Sequence, residues 1–491
     1  MRFWTALPLL LLGRPLADPV PPTYGMWYWH MPFRVTGDDL VHLRKMGVDT
    51  LYVRAGTFSS DGKRAVTILP QTWETPAPGM GVVLTMNFDP GLVSHLETIP
   101  AETLAGDVAR GLLRAREGAK GVRFAGYQLD VDCPTRLLPR YADLLRRVRR
   151  RVPGPFSITA LPTWLNSSNV VELADAVDFI APQFYENRTG RTLEDLKPVS
   201  DPAALRSGLL TLRGLRVPFR IGIAAYGHAL LYDPRGRIAG MYNGLSPEDA
   251  MRHPALRVEA GGALEGERRL VLRAVRSDVN GRGAGARIAY VLPTPEALRR
   301  QLAVYREQAP PNALGPILYR FPEPGEALAL PLAADEAAFA GRLATPSLRV
   351  SLLSRAVPWS LIGPNARAAR PPVALSVRAT ATGDGPSEAI PNAVQLLLRL
   401  DRPGVEGVAP GDFDRAEAGT VGADGRFVRV SGLRADAVRF VRHSVLPGET
   451  LRSGTVEIVA DGATSARAEW SVRGPDGDAR GESARLSLQA P

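Results

Sequence analysis

Between Pro22 and about Gly341, short apolar runs alternate with amphipathic helical stretches, and this alternation limits the folds open to the chain more than any other feature. The strand candidates are TYGMWYW (23–29), VDTLYVR (48–54), GVVLTMNF (81–88), VRFAGYQLDVD (122–132), FSITALP (156–162), VDFIAPQFY (177–185), FRIGIAAYG (219–227) and GPILYRF (315–321). Stretches such as DDLVHLRKM, AETLAGDVARGLLRAREG, LLPRYADLLRRVRR and PEALRRQLAVYREQ stand between them with helical spacing. Eight strands with intervening helices predict one α/β domain, a (β/α)8 or TIM barrel over 22–341. The seventh interval, Tyr226 to Gly315, is too long for one crossover, so a small β or α+β subdomain is expected at about 229–286.

After Gly341 the texture changes. VALSVRAT, AVQLLLRLD, GRFVRVSGL, GTVEIVADG, RAEWSVRG and ARLSLQA alternate with period two between Gly, Pro and Asp turns. Residues 372–491 therefore read as an all-β sandwich of immunoglobulin-like type, reached through a Pro-rich connector at 342–371 that leaves room for one extra strand.

The fourth strand holds the sharpest chemical signal. Alternate residues of a strand share a face, so Gln128, Asp130 and Asp132 project together, with Asp132 at the carboxyl end where barrel active sites form. Two carboxylates held close in a poorly hydrated place push their proton affinities apart, which can yield a general acid and an electrostatic partner from similar side chains. A structural hydrogen-bond network closing the barrel end is the alternative reading of the same residues.

Two further stretches agree with a site at this face. The segment FAGYQLDVD is similar to the fourth-strand signature of family 18 glycoside hydrolases, the chitinase-like barrels, commonly FDGIDIDWE. The resemblance places Gln128 on the first motif Asp, Asp130 on the assisting Asp and Asp132 on the catalytic acid. VDFIAPQFYEN resembles that family's sixth-strand Met-x-Tyr-Asp pattern, which puts Gln183, Tyr185 and Glu186 in the site. FRIGIAAYG resembles its next strand and places Tyr226 there, and many of those enzymes share the α+β insertion that follows. QLDVDCPTRLLPRYADLLRRVR, SITALPTWL and the Gln-x-Tyr of strand six also look like hallmarks of a bacterial family catalogued as domain of unknown function 3142. The first resemblance implies a catalytic set of Asp132, Asp130 and Tyr185, with hydrolysis assisted by the substrate acetamido group. It also meets a departure: Asp132 is one methylene shorter than the family's Glu, a reach lost of about 1.5 Å.

Supporting residues come from other strand ends. Trp27 and Trp29 share a face of the first strand and suit the faces of sugar rings, although Trp is also an ordinary packing residue in barrels. Arg54, Asn87, Trp164, Tyr226 and Tyr319 sit at or near strand carboxyl ends and are candidates for substrate binding, as are Gln128, Gln183 and Glu186. Asp130 and Asp132 with His30 or His228 could be weighed as a metal site, but no His-x-x-x-His or Glu-x-x-His pair supports one, and no metal or other cofactor is expected. The sequence has no Gly-x-Gly-x-x-Gly at a strand–helix turn and no Ser elbow.

A net charge of +10 raises the question of nucleic acid. The densest basic run, Arg146 to Pro153, lies on the polar side of an apolar helical pattern of Leu137, Tyr141, Leu144, Leu145 and Val148, so no nucleic-acid partner is expected. MRFWTALPLLLLGRPLADP reads as a secretory signal peptide over 1–17, cleaved after Ala17, and no apolar run is long enough to span a bilayer. The lone Cys133 excludes an intramolecular disulfide. The expectation is a periplasmic or secreted bacterial protein whose partner is a polysaccharide or oligosaccharide, with its oligomeric state open. It is either a glycoside hydrolase of polymers that include N-acetylated ones, or a non-catalytic glycan-binding or envelope scaffold barrel.

Overall fold

Eight parallel strands close into a ring: Tyr24–Tyr28, Val48–Ser60, Gly81–Phe88, Arg123–Asp130, Phe156–Ala160, Phe179–Pro182, Phe219–Ala224 and Ala313–Tyr319. The first strand pairs with both the second and the eighth, which completes the barrel. The computed structural model describes residues 23–185, 190–215, 218–277, 283–356, 373–430, 432–459 and 464–488. The expected signal peptide lies outside them.

Local signals account for most crossovers. Helix Gly37–Lys45 starts at a capping box formed by Thr36 and Asp39. Helix Pro202–Arg213 has Asp201 accepting from the Ala204 N–H and Pro in its first turn. Helix Leu138–Arg149 buries Leu138, Tyr141, Leu144, Leu145 and Val148. Its basic face is spent in ion pairs: Arg147 with Glu102 and Asp143, Arg149 with Asp178, and Arg151 just beyond with Glu102. Between the second and third strands there is no helix. The second strand runs on to Ser60 and a short antiparallel strand, Ala65–Ile68, folds back along it.

The barrel has two apolar layers. Between strands and helices pack Leu51, Leu84, Tyr127, Leu129, Ile158 and their neighbours. Inside the ring lie Trp27, Tyr52, Val83, Ala181 and Ile317. In the fourth strand a local irregularity sets which residues face which layer. Gly126 has φ 149°, and a Cβ there would lie 2.8 Å from the Pro155 carbonyl oxygen. The register with the third strand shifts at this point, between Val82 and Val83. Beyond it Tyr127, Leu129 and Val131 join the outer layer, while Gln128 meets polar groups inside the ring.

The insertion is a five-stranded antiparallel sheet of Ile238–Met241, His228–Tyr232, Arg287–Leu292, Glu267–Ala274 and Leu256–Leu264, in that spatial order, with one short helix, Pro247–Arg252. It runs from His228 to Leu292 and leads straight into helix Pro295–Gln308. The C-terminal region is two antiparallel sheets sharing one core that includes Leu375, Val377, Leu396, Leu398, Phe440 and Ala468. Its first strand, Leu348–Ala356, falls within the stretch expected to be a connector and pairs along its whole length with Val373–Ala381.

The sandwich is fastened to the rest of the chain through charged groups. Arg299 of helix Pro295–Gln308 forms a two-pronged pair with Asp476, at 2.8 and 2.9 Å. Arg252 and Arg268 of the insertion pair with Asp414 and Glu388. Among the described residues, no helix is long and apolar enough to cross a membrane.

Candidate active site

At the carboxyl end of the barrel a cavity of about 350 Å³ opens. Its lining includes Trp27 and Trp29 from the first strand and its end, Asp130 and Asp132 from the fourth, Gln183 and Tyr185 after the sixth, and Tyr319 and Arg320 at the eighth. The insertion adds a wall, with Tyr226, Gly227, His228, Met241 and Asn243 also facing the space.

The two acids differ in setting. Asp130 ends the fourth strand, accepts a hydrogen bond of 2.6 Å from Thr159 Oγ1 and lies near the Gln183 side chain. Burial pushes its carboxyl up to about 6; the Thr159 hydroxyl opposes this, the Asp132 charge adds to it, and Gln183 and the Arg54 charge oppose it. Asp132, two residues on and outside the strand, is exposed at the rim. Protein crowded against one side of it still raises its carboxyl above the ordinary carboxylate range.

Five aromatic side chains make a continuous wall. Tyr185 stacks on Tyr319, with ring centres 5.2 Å apart and planes at 19°. Tyr226 meets Tyr319 edge-on at 4.8 Å, Trp27 lies 6.1 Å from Tyr319, and Trp29 lies 6.0 Å from it on another side. Trp27 is almost wholly buried and its Nε1 donates to Gln128 Oε1 at 2.9 Å, so it forms the floor rather than a free platform.

The other sequence candidates lie elsewhere. Gln128 is fully buried below the cavity, accepting from Trp27 and from Thr85 Oγ1 (3.3 Å) and donating to Ser157 Oγ (3.4 Å), so it ties four strands together and does not reach the space above. This is the network role weighed for the motif, seen here at its first residue. Trp164 is fully buried, donates to the Cys133 carbonyl at 3.0 Å and packs edge-on against Tyr141, away from the cavity. Arg54 donates to Thr57 Oγ1, which donates in turn to Asn87 Oδ1. Asn87 pairs in register with Asp130, so Arg54 and Asn87 stand behind that acid rather than on the lining. Glu186 lies outside the described residues.

Sequence reasoning missed Met241 and Asn243, which the insertion brings to the lining; His228 and Arg320, at the ends of strands seven and eight, were weak candidates without a settled role. Arg320 is held by Glu326, and its NH1 lies 2.8 Å from His30 Nε2, which also faces the Phe321 carbonyl oxygen at 2.7 Å. His30 in turn pairs with Glu323 at 3.0 Å. Among the described residues no three His, Cys, Asp or Glu side chains converge in a way that could hold a metal ion.

In overall fold the chain is similar to several solved structures. One is the Bacillus cereus spore cortex-lytic enzyme SleL, at 13% identity over 65% of this chain and 73% of that one, with a TM-score of 0.43. A second is a chitinase from Chromobacterium violaceum, at 12% identity over 65% of this chain and 100% of that one, TM-score 0.43. A third is a glycoside hydrolase family 18 N-acetylglucosaminidase from Paenibacillus barengoltzii, at 13% identity over 65% and 99% of the two chains, TM-score 0.40. No curated protein matches the sequence. Residues 98–324, which run from ahead of the fourth strand to just past the eighth and so include both acids and the insertion, match the family described as Domain of unknown function (DUF3142).

Proposed function

We propose that the protein is an exported glycoside hydrolase that cleaves a polysaccharide, with polymers of N-acetylated amino sugars among the candidates. The observation that supports this most directly is the opening of Asp130 and Asp132 into one cavity beside Tyr185 and a wall of aromatic rings. In this reading Asp132, at the rim, protonates the glycosidic oxygen as the bond to the anomeric carbon breaks. Asp130 shares and steers that proton, and Tyr185 holds the substrate acetamido group, whose carbonyl oxygen attacks the anomeric carbon. A water then opens the ring so formed and returns a proton to the acid pair. The cavity lining would take the sugar, Trp29 and Tyr319 meeting its apolar face while Gln183 and Tyr226 meet its hydroxyls.

Export rests on the N-terminal signal-like segment, and an immunoglobulin-like classification of the sandwich rests on its strand pattern. The second reading, a glycan-binding barrel without catalysis, is favoured by one feature: the acid is Asp132, a methylene shorter than the Glu of the enzymes it resembles. One assay separates the two. Reducing-end release is measured from polymers of N-acetylglucosamine, of galactosamine and of mixed composition, for the wild type and for Asp132→Asn. The hydrolase reading expects release by the wild type and loss of it in the variant; equal release by both removes Asp132 from the chemistry, and retention of polymer without release supports the binder.

A further inference from the structure

We infer that Glu267, on the inserted sheet, is a positioning residue that holds the Tyr185 side of the cavity, so that the insertion is a working part of the site. Its catalytic consequence rests on the hydrolase reading above; its structural basis does not.

Glu267 opens the strand Glu267–Ala274 and is 2% exposed. A buried carboxylate is costly unless its oxygens are hydrogen-bonded. Here both are: the Val199 N–H donates to Oε2 and the Ser200 N–H to Oε1, each at 2.8 Å, across 68 and 67 residues of sequence. Burial raises the Glu267 carboxyl, while its hydrogen bonds to Ser200 and Val199 oppose the rise. Ser200 forms an antiparallel bridge with Tyr185, so the segment Glu267 grips is the one that backs the tyrosine.

Other bonds show that the grip is part of a seam. The Ile238 N–H donates to the Arg191 carbonyl at 3.0 Å, and the Leu193 N–H donates to the Gly236 carbonyl at 2.9 Å. Leu196 and Val199 share a core with Leu230, Tyr232, Val271 and Ala289 of the insertion and with Trp27 and Tyr185 of the barrel. Glu267 is a buried acidic member of this seam, and its two oxygens fix two consecutive amides at once. A glutamine there offers one acceptor oxygen, and its NH2 would face the second N–H. The loop would relax, and a displacement of Tyr185 on the order of 1 Å is enough to cost up to about 100-fold in rate.

The test uses the full chain with Glu267→Gln, and with Glu267→Asp as the second variant should the first not fold. Hydrogen exchange of the Val199, Ser200 and Tyr185 amides should quicken by about tenfold or more in either variant, while the amides of helix Leu138–Arg149 keep their protection. On the polymer cleaved by the wild type, Glu267→Gln should lower kcat by about tenfold with little change in KM, and should cost little more in a Tyr185→Phe background. Unchanged exchange at Val199 and Ser200 overturns the clamp. Fully additive losses in the double variant overturn its action through Tyr185. A wild type that cleaves none of the polymers removes the hydrolase reading alone, since exchange still decides the clamp.

Discussion

Replacing Asp130 by Asn should make the protein more stable at neutral pH. The folded carboxyl holds its proton up to about pH 6, whereas its ordinary value is 3.8. Between those values the folded state binds more protons than the unfolded one, so this group's contribution to stability falls as pH rises through the window. At 1.36 kcal/mol per pH unit of difference, the ionised carboxylate costs about 3 kcal/mol above pH 6. Asn never ionises and escapes that cost. It still accepts from Thr159, but its NH2 meets the Gln183 amide that now lies near the carboxylate, a loss of about 1 kcal/mol. The expected net gain is about 2 kcal/mol at pH 7. At pH 3.5 the carboxyl is largely protonated in both states, so the gain should vanish and a small loss remain. Urea unfolding followed by the fluorescence of buried Trp27 and Trp164, repeated from pH 3.5 to 7, measures the difference. A variant that is less stable than the wild type at pH 7, or a difference that does not change with pH, would refute the account of Asp130 as a poorly hydrated, proton-retaining acid.

Two other changes test the framework around the site. Trp27→Phe removes the 2.9 Å donor to Gln128 and leaves a fully buried acceptor with only the 3.3 Å bond from Thr85; denaturant unfolding should show a loss of about 1–3 kcal/mol. Arg299→Met strips Asp476 of its two-pronged partner and leaves that carboxylate, 2% exposed, with the 3.0 Å Ala344 N–H. Calorimetry should show a loss of about 3 kcal/mol and a separate, earlier transition for the sandwich; a single unshifted transition would mean that the pair contributes nothing to the docking.

The barrel was legible because its strands are buried on both sides and so appear as unbroken apolar runs, with helical periodicity between them. The second crossover was not, since a strand that continues to Ser60 and doubles back on Ala65–Ile68 has no long apolar signature. The connector had room for one extra strand, but LRVSLLSRA stands apart from the other period-two runs, so its place in the sandwich and its partner were identifiable only in three dimensions. For the site, Asp130 and Asp132, alternate residues at the end of the fourth strand, line one cavity. Alternation could not say that Gln128, on the same face, lies below the floor made by Trp27, because depth along the barrel axis is not written in a period of two. Trp164 misled for a similar reason: a tryptophan just after a strand may be drawn toward the mouth or, as here, into the layer beneath the helices, and the deciding partners, Cys133 and Tyr141, lie in a different segment. Met241 and Asn243 had no signal at all, since only the folding of the insertion brings them to the cavity, and His228 was marked only by its place just after strand seven.

The acids on the sandwich surface have a consequence for its portability. Asp476 and Asp414 are nearly covered, and their cationic partners belong to the barrel helix and the insertion. Grafted onto a foreign enzyme, the sandwich would present two carboxylates shaped to meet guanidinium groups the new host does not supply. This region is therefore matched to one companion, unlike a tethered module that can be exchanged between proteins, and inheritance should move the two together.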